Sequence, residues 1–151
     1  NQKKNKNIVG LVVGEVSQGK EKYYGYLKKI AKELNANIIF TSTNDNIREI
    51  YSISDLIVSA SSSKPETFGR TIAESLSMNI PVIASSHGGA LDIIINETNG
   101  LFFEPKNIKD LSYKIDQALE YSFENMREHI IRNFSLNQMT KKLLAVYKEV
   151  L

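Results

Sequence analysis

The sequence predicts an α/β protein built on a doubly wound parallel sheet, on three observations. Short β-branched runs alternate with amphipathic stretches as far as Phe103, the rhythm of repeated strand, helix, strand units. The stretches between runs have the length of right-handed crossovers, which makes neighbouring strands parallel and covers both sheet faces. With 151 residues and no cysteine, the chain has the size of one ordinary domain that buries a core without disulfides.

The first run, Ile8–Val13 (IVGLVV), reads as a strand buried on both faces. Tyr23, Leu27, Ile30, Ala31 and Leu34 then recur at helical spacing, and the segment Asn35–Asn37 ends that helix. Ile38–Thr41 (IIFT) is the second strand, Asn46–Ser52 a short helix opened by an Asn-x-x-Glu pattern, and Leu56–Ala60 (LIVSA) the third strand. Phe68–Met78 reads as helix, Ile80–Ala84 as strand, Ala90–Ile95 as a short helix, Asn96–Gly100 as a turn and Leu101–Phe103 as the last strand. Beyond Pro105 the strands stop. Asn107 caps a helix reaching Tyr121, a shorter one covers Glu124–Arg132, and Ser135-x-x-Gln138 is a capping box that opens the last. Residues 1–134 are expected to form the α/β domain and residues 135–151 a C-terminal helical extension.

Composition excludes several function classes. Nineteen basic against seventeen acidic residues give a net charge of +2, with the excess in the tail Gln2-Lys3-Lys4-Asn5-Lys6. That is no electropositive nucleic-acid surface, and the tail reads as solvated chain. No apolar run has the length of a membrane span, the start lacks the apolar stretch of a secretory signal, and nothing requires an oxidising compartment, so the expected location is the cytoplasm. The apolar stripe Leu136, Met139, Leu143, Leu144, Tyr147 and Leu151 has a mixed polar face, which favours packing on protein over lying on a membrane.

Sheets of this kind bind ligands beyond the carboxyl ends of their strands. The loops to inspect are therefore Gly14–Gly19, Ser42–Asp45, Ser61–Phe68 and Ser85–Gly89. Gly14 to Lys20 matches the Gly-x4-Gly-Lys part of a phosphate loop, the signature of a phosphotransferase. The next position should carry a hydroxyl for magnesium; it is Glu21, and Glu15 adds a second carboxylate where phosphate oxygens would lie. The glycines Gly10, Gly14 and Gly19 have the wrong spacing for a dinucleotide fingerprint, Gly-x-Ser-x-Gly is absent, and His87 and His129 offer no metal-ligand spacing. His129 is read as a surface or packing residue.

The segment with chemical content is Pro65–Glu74 (PETFGRTIAE), where a polar loop leads into a helix start. The amides of Gly69, Arg70 and Thr71 lack intrahelical acceptors there, and the helix dipole favours an anion. Gly69 allows close approach of a ligand and Arg70 adds a cation. Glu66 and Glu74 flank the site with acceptors for hydroxyl groups, a layout that suits a nucleoside-diphosphate sugar. Residue chemistry alone leaves a second reading equally open: Glu66 favours the helix start, Glu74 pairs with Arg70 at i, i+4, and the whole is capping.

Glu66 and Glu74 enclose seven residues, and Pro-Glu-Thr-Phe-Gly-Arg-x-x-x-Glu, followed by Ile80-Pro81-Val82-Ile83-Ala84 and Gly88-Gly89, resembles the Glu-x7-Glu signature of retaining GT-B glycosyltransferases (group 1, family 4 type). Val12-Val13-Gly14, the IIFT strand, Tyr51 with Ser54-Asp55, Asn99-Gly100-Leu101 and Tyr147 to Leu151 extend the resemblance over nearly the whole chain, to that superfamily's C-terminal, Rossmann-like, donor-binding domain. The resemblance implies that Glu66 contacts sugar hydroxyls and takes part in catalysis, that Glu74 holds the nucleotide's ribose, and that Phe68, Gly69, Arg70 and Thr71 hold sugar and diphosphate. It puts Gly88 and Gly89 at the sugar end, and base selection at Phe40–Thr43 with Tyr51. It further implies a UDP-, GDP- or ADP-sugar as donor, no cofactor and no metal, and a hexose passed with retention to a glycan or lipid-linked acceptor in cell-envelope polysaccharide or lipopolysaccharide synthesis. The full enzyme would associate peripherally with the cytoplasmic face of the membrane. The family's domain opens with an earlier strand and helix bearing an Arg and a Lys, and its acceptor domain precedes that. The chain is therefore expected to be an excised, truncated or split part, inactive alone, with the last helix crossing back to the acceptor domain. A non-catalytic partner domain completing another chain is the alternative.

Overall fold

A computed structural model describes residues 8–43, 45–61 and 66–150. In chain order the elements are β1 (Gly10–Val13), α1 (Glu21–Glu33), β2 (Ile38–Thr41), α2 (Ile47–Ser52), β3 (Ile57–Ser59), α3 (Arg70–Ser77), β4 (Val82–Ser85), α4 (Ala90–Ile93), β5 (Gly100–Phe103), α5 (Ile108–Glu120), α6 (Met126–Phe134) and α7 (Leu136–Val150). Each strand and helix expected from the sequence is present, most with trimmed ends. The basic tail and Leu151 lie outside the described residues.

The backbone divides between Arg48 and Glu49 into two compact units. In the first, β1 and β2 pair in parallel, Gly10 opposite Ile38 and Val13 opposite Thr41. Helix α1 turns Tyr24, Leu27, Ile30 and Ala31 partly inward, while Tyr23 and Leu34 of the expected stripe stay exposed. No residue of α1 is buried. The helix stops where the sequence says it should: Asn35 takes a left-handed conformation, which a short polar side chain tolerates best after glycine.

The second unit holds a three-stranded parallel sheet of order β3-β4-β5. Strand β4 lies in its middle and is buried along its whole length. Alternate side chains face opposite ways, as the two-residue strand period requires. Val82 and Ala84 join Ile72, Leu76, Ile93, Met126 and Ile130 on the side of α3, α4 and α6. Ile83 joins Leu101, Phe103 and Ala118 on the side of α5. Helices therefore cover both faces of this sheet, the doubly wound arrangement of an α/β protein. Ile72 and Leu76, both essentially without exposure, each contribute roughly 1.5–3 kcal/mol of burial, which anchors the helix that follows the PETFG segment.

Asn107 caps α5 as its position predicts, its Oδ1 accepting the Asp110 amide at 3.0 Å. Ser135 does the same for α7, receiving the Gln138 amide at 3.4 Å. Helix α7 has no buried residue and leaves Leu136, Met139, Leu143, Leu144 and Tyr147 exposed. Among the described residues, no helix is long and apolar enough to cross a membrane.

Candidate functional site

Helix α3 begins at Arg70, two residues later than the sequence suggests. Gly69 is its N-cap in a left-handed conformation (φ 86°, ψ 57°), and no side chain caps the helix start. A glycine suits that backbone, since any side chain there is strained. The residue is also buried, with the Ile72 side chain 3.0 Å from where a Cβ would stand. The amides of Arg70 and Thr71 thus open the helix without intrahelical acceptors, at the positive end of its dipole.

Glu66 lies just before this turn and is partly buried. Its backbone carbonyl accepts the Gly89 amide at 2.8 Å, which ties the loop after β3 to the loop after β4. Gly89 allows this contact because a Cβ there would fall 2.6–2.7 Å from the backbone of Phe68. Gly89 therefore seats the Glu66–Phe68 segment. The Phe68 ring, still 45% exposed, meets Phe134 of α6 edge-on at 5.9 Å. Phe134 in turn meets His129, whose Nε2 bonds the Ile93 carbonyl at 2.9 Å. His129 is a packing residue, as expected. Pro65 and Ser62 to Lys64 fall outside the described residues.

Glu74 is reached by two partners. Arg70 sends Nε and Nη2 to its Oε1 at 3.2 and 2.9 Å, the i, i+4 pair of the capping alternative. The hydroxyl of Tyr51, on α2, donates to Oε2 at 3.0 Å. Tyr51 is only 4% exposed, so its ring offers no face to a base. Burial, and then the neighbouring Glu74 carboxylate, push its phenol up to about 12, so the hydroxyl keeps its proton and remains a donor.

Ser59, Ser61, Glu66, Ser85 and His87 line a recess of about 10 Å³ at the ends of β3 and β4, space for roughly one water-sized group. Ser85 Oγ is buried there without a hydrogen-bond partner among the described residues. His87 Nε2 contacts the Ser61 carbonyl. The structure thus gathers Glu66, Phe68, Gly69, Arg70, Thr71, Glu74, Gly88 and Gly89 around one helix start. Sequence reasoning reached Ser85 only as the start of a loop to inspect and missed the Ser59 hydroxyl, although both residues end strands at the carboxyl edge where ligands bind. It also missed the role of Tyr51, which no local pattern signals.

At the other glycine loop, the Gly19 amide donates to Glu21 Oε1 at 3.1 Å. A carboxylate occupies a donor that a phosphate loop would offer to phosphate. The first unit also carries a hollow of about 520 Å³ beside β1, β2 and α1, lined by Val12, Val13, Tyr23, Tyr24 and Leu27 with Lys20.

The family model of group 1 glycosyl transferases matches residues 1–135. An uncharacterized glycosyltransferase of Methanocaldococcus jannaschii is 28% identical over 133 residues, which cover 82% of this chain and 34% of that protein. A solved glycosyltransferase of Rickettsia africae superposes with a TM-score of 0.86 at 36% identity, over 95% of this chain and 40% of its own. HepE of Anabaena, solved in complex with UDP and glucose, superposes with a TM-score of 0.85 at 21% identity, over 95% of this chain and 41% of its own. The chain thus spans well under half the length of these relatives, and its fold is that of the C-terminal Rossmann-like half of GT-B enzymes. By the family match over most of its length and by that fold, the chain belongs to the group 1 glycosyltransferases.

Proposed function

We propose that the chain is the donor-binding domain of a retaining, metal-independent glycosyltransferase and holds a nucleoside-diphosphate sugar across the start of α3. The observation that supports this reading is that Glu66, whose carbonyl holds the Gly89 amide, directly precedes the Gly69 turn that opens α3, while Glu74 lies one turn into that helix and pairs with Arg70. Glu74 receives the ribose hydroxyls. The amides of Gly69, Arg70 and Thr71, with the Arg70 guanidinium, meet the diphosphate. Glu66 takes sugar hydroxyls, with Phe68 and the Gly88-Gly89 turn beside it and the Ser85 recess behind. Charge growing on the departing nucleoside diphosphate is met by helix amides already in position, which cost no reorganisation. That arrangement supplies positive potential without a metal ion.

The acceptor domain is supplied by further polypeptide, in the same chain or another. The transferred group is a hexose, and the acceptor a glycan or lipid-linked molecule of cell-envelope polysaccharide or lipopolysaccharide synthesis. The Anabaena protein of like fold was also solved with UDP-glucose, a ligand of the class proposed.

Calorimetric titration with UDP, GDP and ADP, with and without magnesium, tests the reading. Binding of one of them, unchanged when magnesium is removed and weakened at least about tenfold by Glu74→Ala, is the expected result. No binding of any of the three at millimolar concentration overturns it. Binding that needs magnesium and is lost with Lys20→Ala would instead assign the nucleotide to the Gly14–Lys20 loop.

A further inference from the structure

We propose that Tyr51 is a positioning residue for ribose recognition: its buried hydroxyl fixes Glu74 Oε2, so the carboxylate keeps its place when Arg70 gives up Oε1 to the vicinal hydroxyls of a nucleoside diphosphate. This rests on the donor-site reading above and concerns how that site is held.

An ionised carboxylate offers about four lone-pair positions. The Tyr51 hydroxyl takes one on Oε2, and the two Arg70 nitrogens both converge on Oε1. One position on Oε2 is left, whereas a vicinal diol presents two hydroxyls. One of the present partners must yield. Arg70 is the one free to do so: its side chain is 85% exposed, and exposed i, i+4 pairs are weak. The guanidinium it releases then lies at the helix start, where the diphosphate charge is proposed to fall.

Tyr51 is the opposite kind of partner. It is 4% exposed, packed in the interior with only its oxygen reaching a carboxylate whose side chain is 37% exposed. A buried phenol usually satisfies itself on any nearby acceptor; this one is aimed outward at the site. Fixing one carboxylate oxygen from the interior removes the rotamer entropy that a free glutamate loses on binding. Without the phenol, a glutamate released by Arg70 would have no fixed position.

The test compares the wild-type protein with Tyr51→Phe. Each is titrated with UDP, GDP and ADP and with their 2′,3′-dideoxy counterparts. Phenylalanine keeps the packing, and the two side chains that bond the hydroxyl, partly exposed Glu74 and exposed Thr71, can both turn to water; circular dichroism checks the fold of the variant. The wild type should prefer the ribose form by about tenfold or more, the worth of hydrogen bonds to a charged acceptor. In Tyr51→Phe that preference should fall to about threefold or less, with affinity for the dideoxy form within about twofold of wild type. A purely structural Tyr51 would weaken both forms alike, and that result overturns the proposal. So does a preference unchanged in the variant. If the wild type itself binds none of the nucleotides, or does not discriminate the dideoxy forms, the ribose role of Glu74 fails, and the proposal fails with it.

Discussion

At the scale of single residues, Gly89 is defined by its neighbour. Its Cα rests against the Phe68 backbone so closely that a Cβ would lie 2.6 Å from the Phe68 carbonyl oxygen. Backbone cannot rotate away as a flexible side-chain end can, so Gly89→Ala must lift the Glu66–Phe68 segment. The expected loss is about 1–3 kcal/mol, the usual cost of overpacking, read as a lower urea midpoint with unchanged slope. An unaltered midpoint would show that the loop is not seated on Gly89. Tyr51 gives a second residue-scale prediction. Its phenol is raised to about 12 from an ordinary 10, so the folded state favours the protonated form. The associated stability, on the order of 2 kcal/mol, is fully present below pH 10 and lost as pH rises from 10 through 12. Spectrophotometric titration should show a late tyrosine ionisation in wild type that Tyr51→Phe removes. The carboxylates of this site were legible in the sequence because their spacing fixes them on one loop and one helix face. Tyr51 was legible only as part of a resemblance. Its partner lies 23 positions along the chain, and no periodicity couples residues so far apart.

At the scale of elements, helix types were legible because capping chemistry is local: Asn107 and Ser135 lie where their side chains accept the amides expected of them. The start of α6 is different. Its N-cap residue Asn125 makes no side-chain cap bond. The cap comes from Asn79, just past the end of α3, whose Oδ1 accepts the Arg127 amide at 3.1 Å. Arg127 Nη1 returns a bond to the Ser77 carbonyl at 3.2 Å. The end of the helix bearing Arg70 and Glu74 is thereby stapled to the start of α6. Asn79 also holds a left-handed conformation, φ 58°. Two substitutions separate these roles. Asn79→Gly loses the cap but relieves the backbone, and should cost about 1 kcal/mol or less. Asn79→Ala loses the cap and forces alanine into left-handed space, and should cost about 1–2 kcal/mol more. Equal denaturation midpoints for the two variants would remove the backbone term from this account.

At the scale of the whole molecule, a hydrophobic stripe reports a face without reporting what covers it. The spacing of Tyr23, Leu27, Ile30, Ala31 and Leu34 predicted α1 correctly, but the helix has no buried residue, and Tyr23 and Leu34 are about 60% exposed. Every buried apolar residue found among the described residues belongs to the second unit, from Tyr51 to Ile130. The pattern that made β1 and β4 look alike as apolar runs therefore hides a large difference in burial: Val12 is 47% exposed, while Val82 and Ile83 are not exposed at all. Local opening free energy follows buried apolar contact, so the two sheets should open independently of one another. In native-state hydrogen exchange, amides of the β1–β2 ladder should exchange at least about a hundredfold faster than those of β4, a gap of roughly 2.7 kcal/mol or more in opening free energy. Mild urea should lower protection in the second unit only near its global midpoint, and leave the first already near its floor. Uniform protection across both sheets would mean that the first unit draws stability from a source its own burial does not contain. The predicted gap would place the helix start between Glu66 and Glu74 on the rigid part of the chain, where amides and carboxylates are held in place before any ligand arrives.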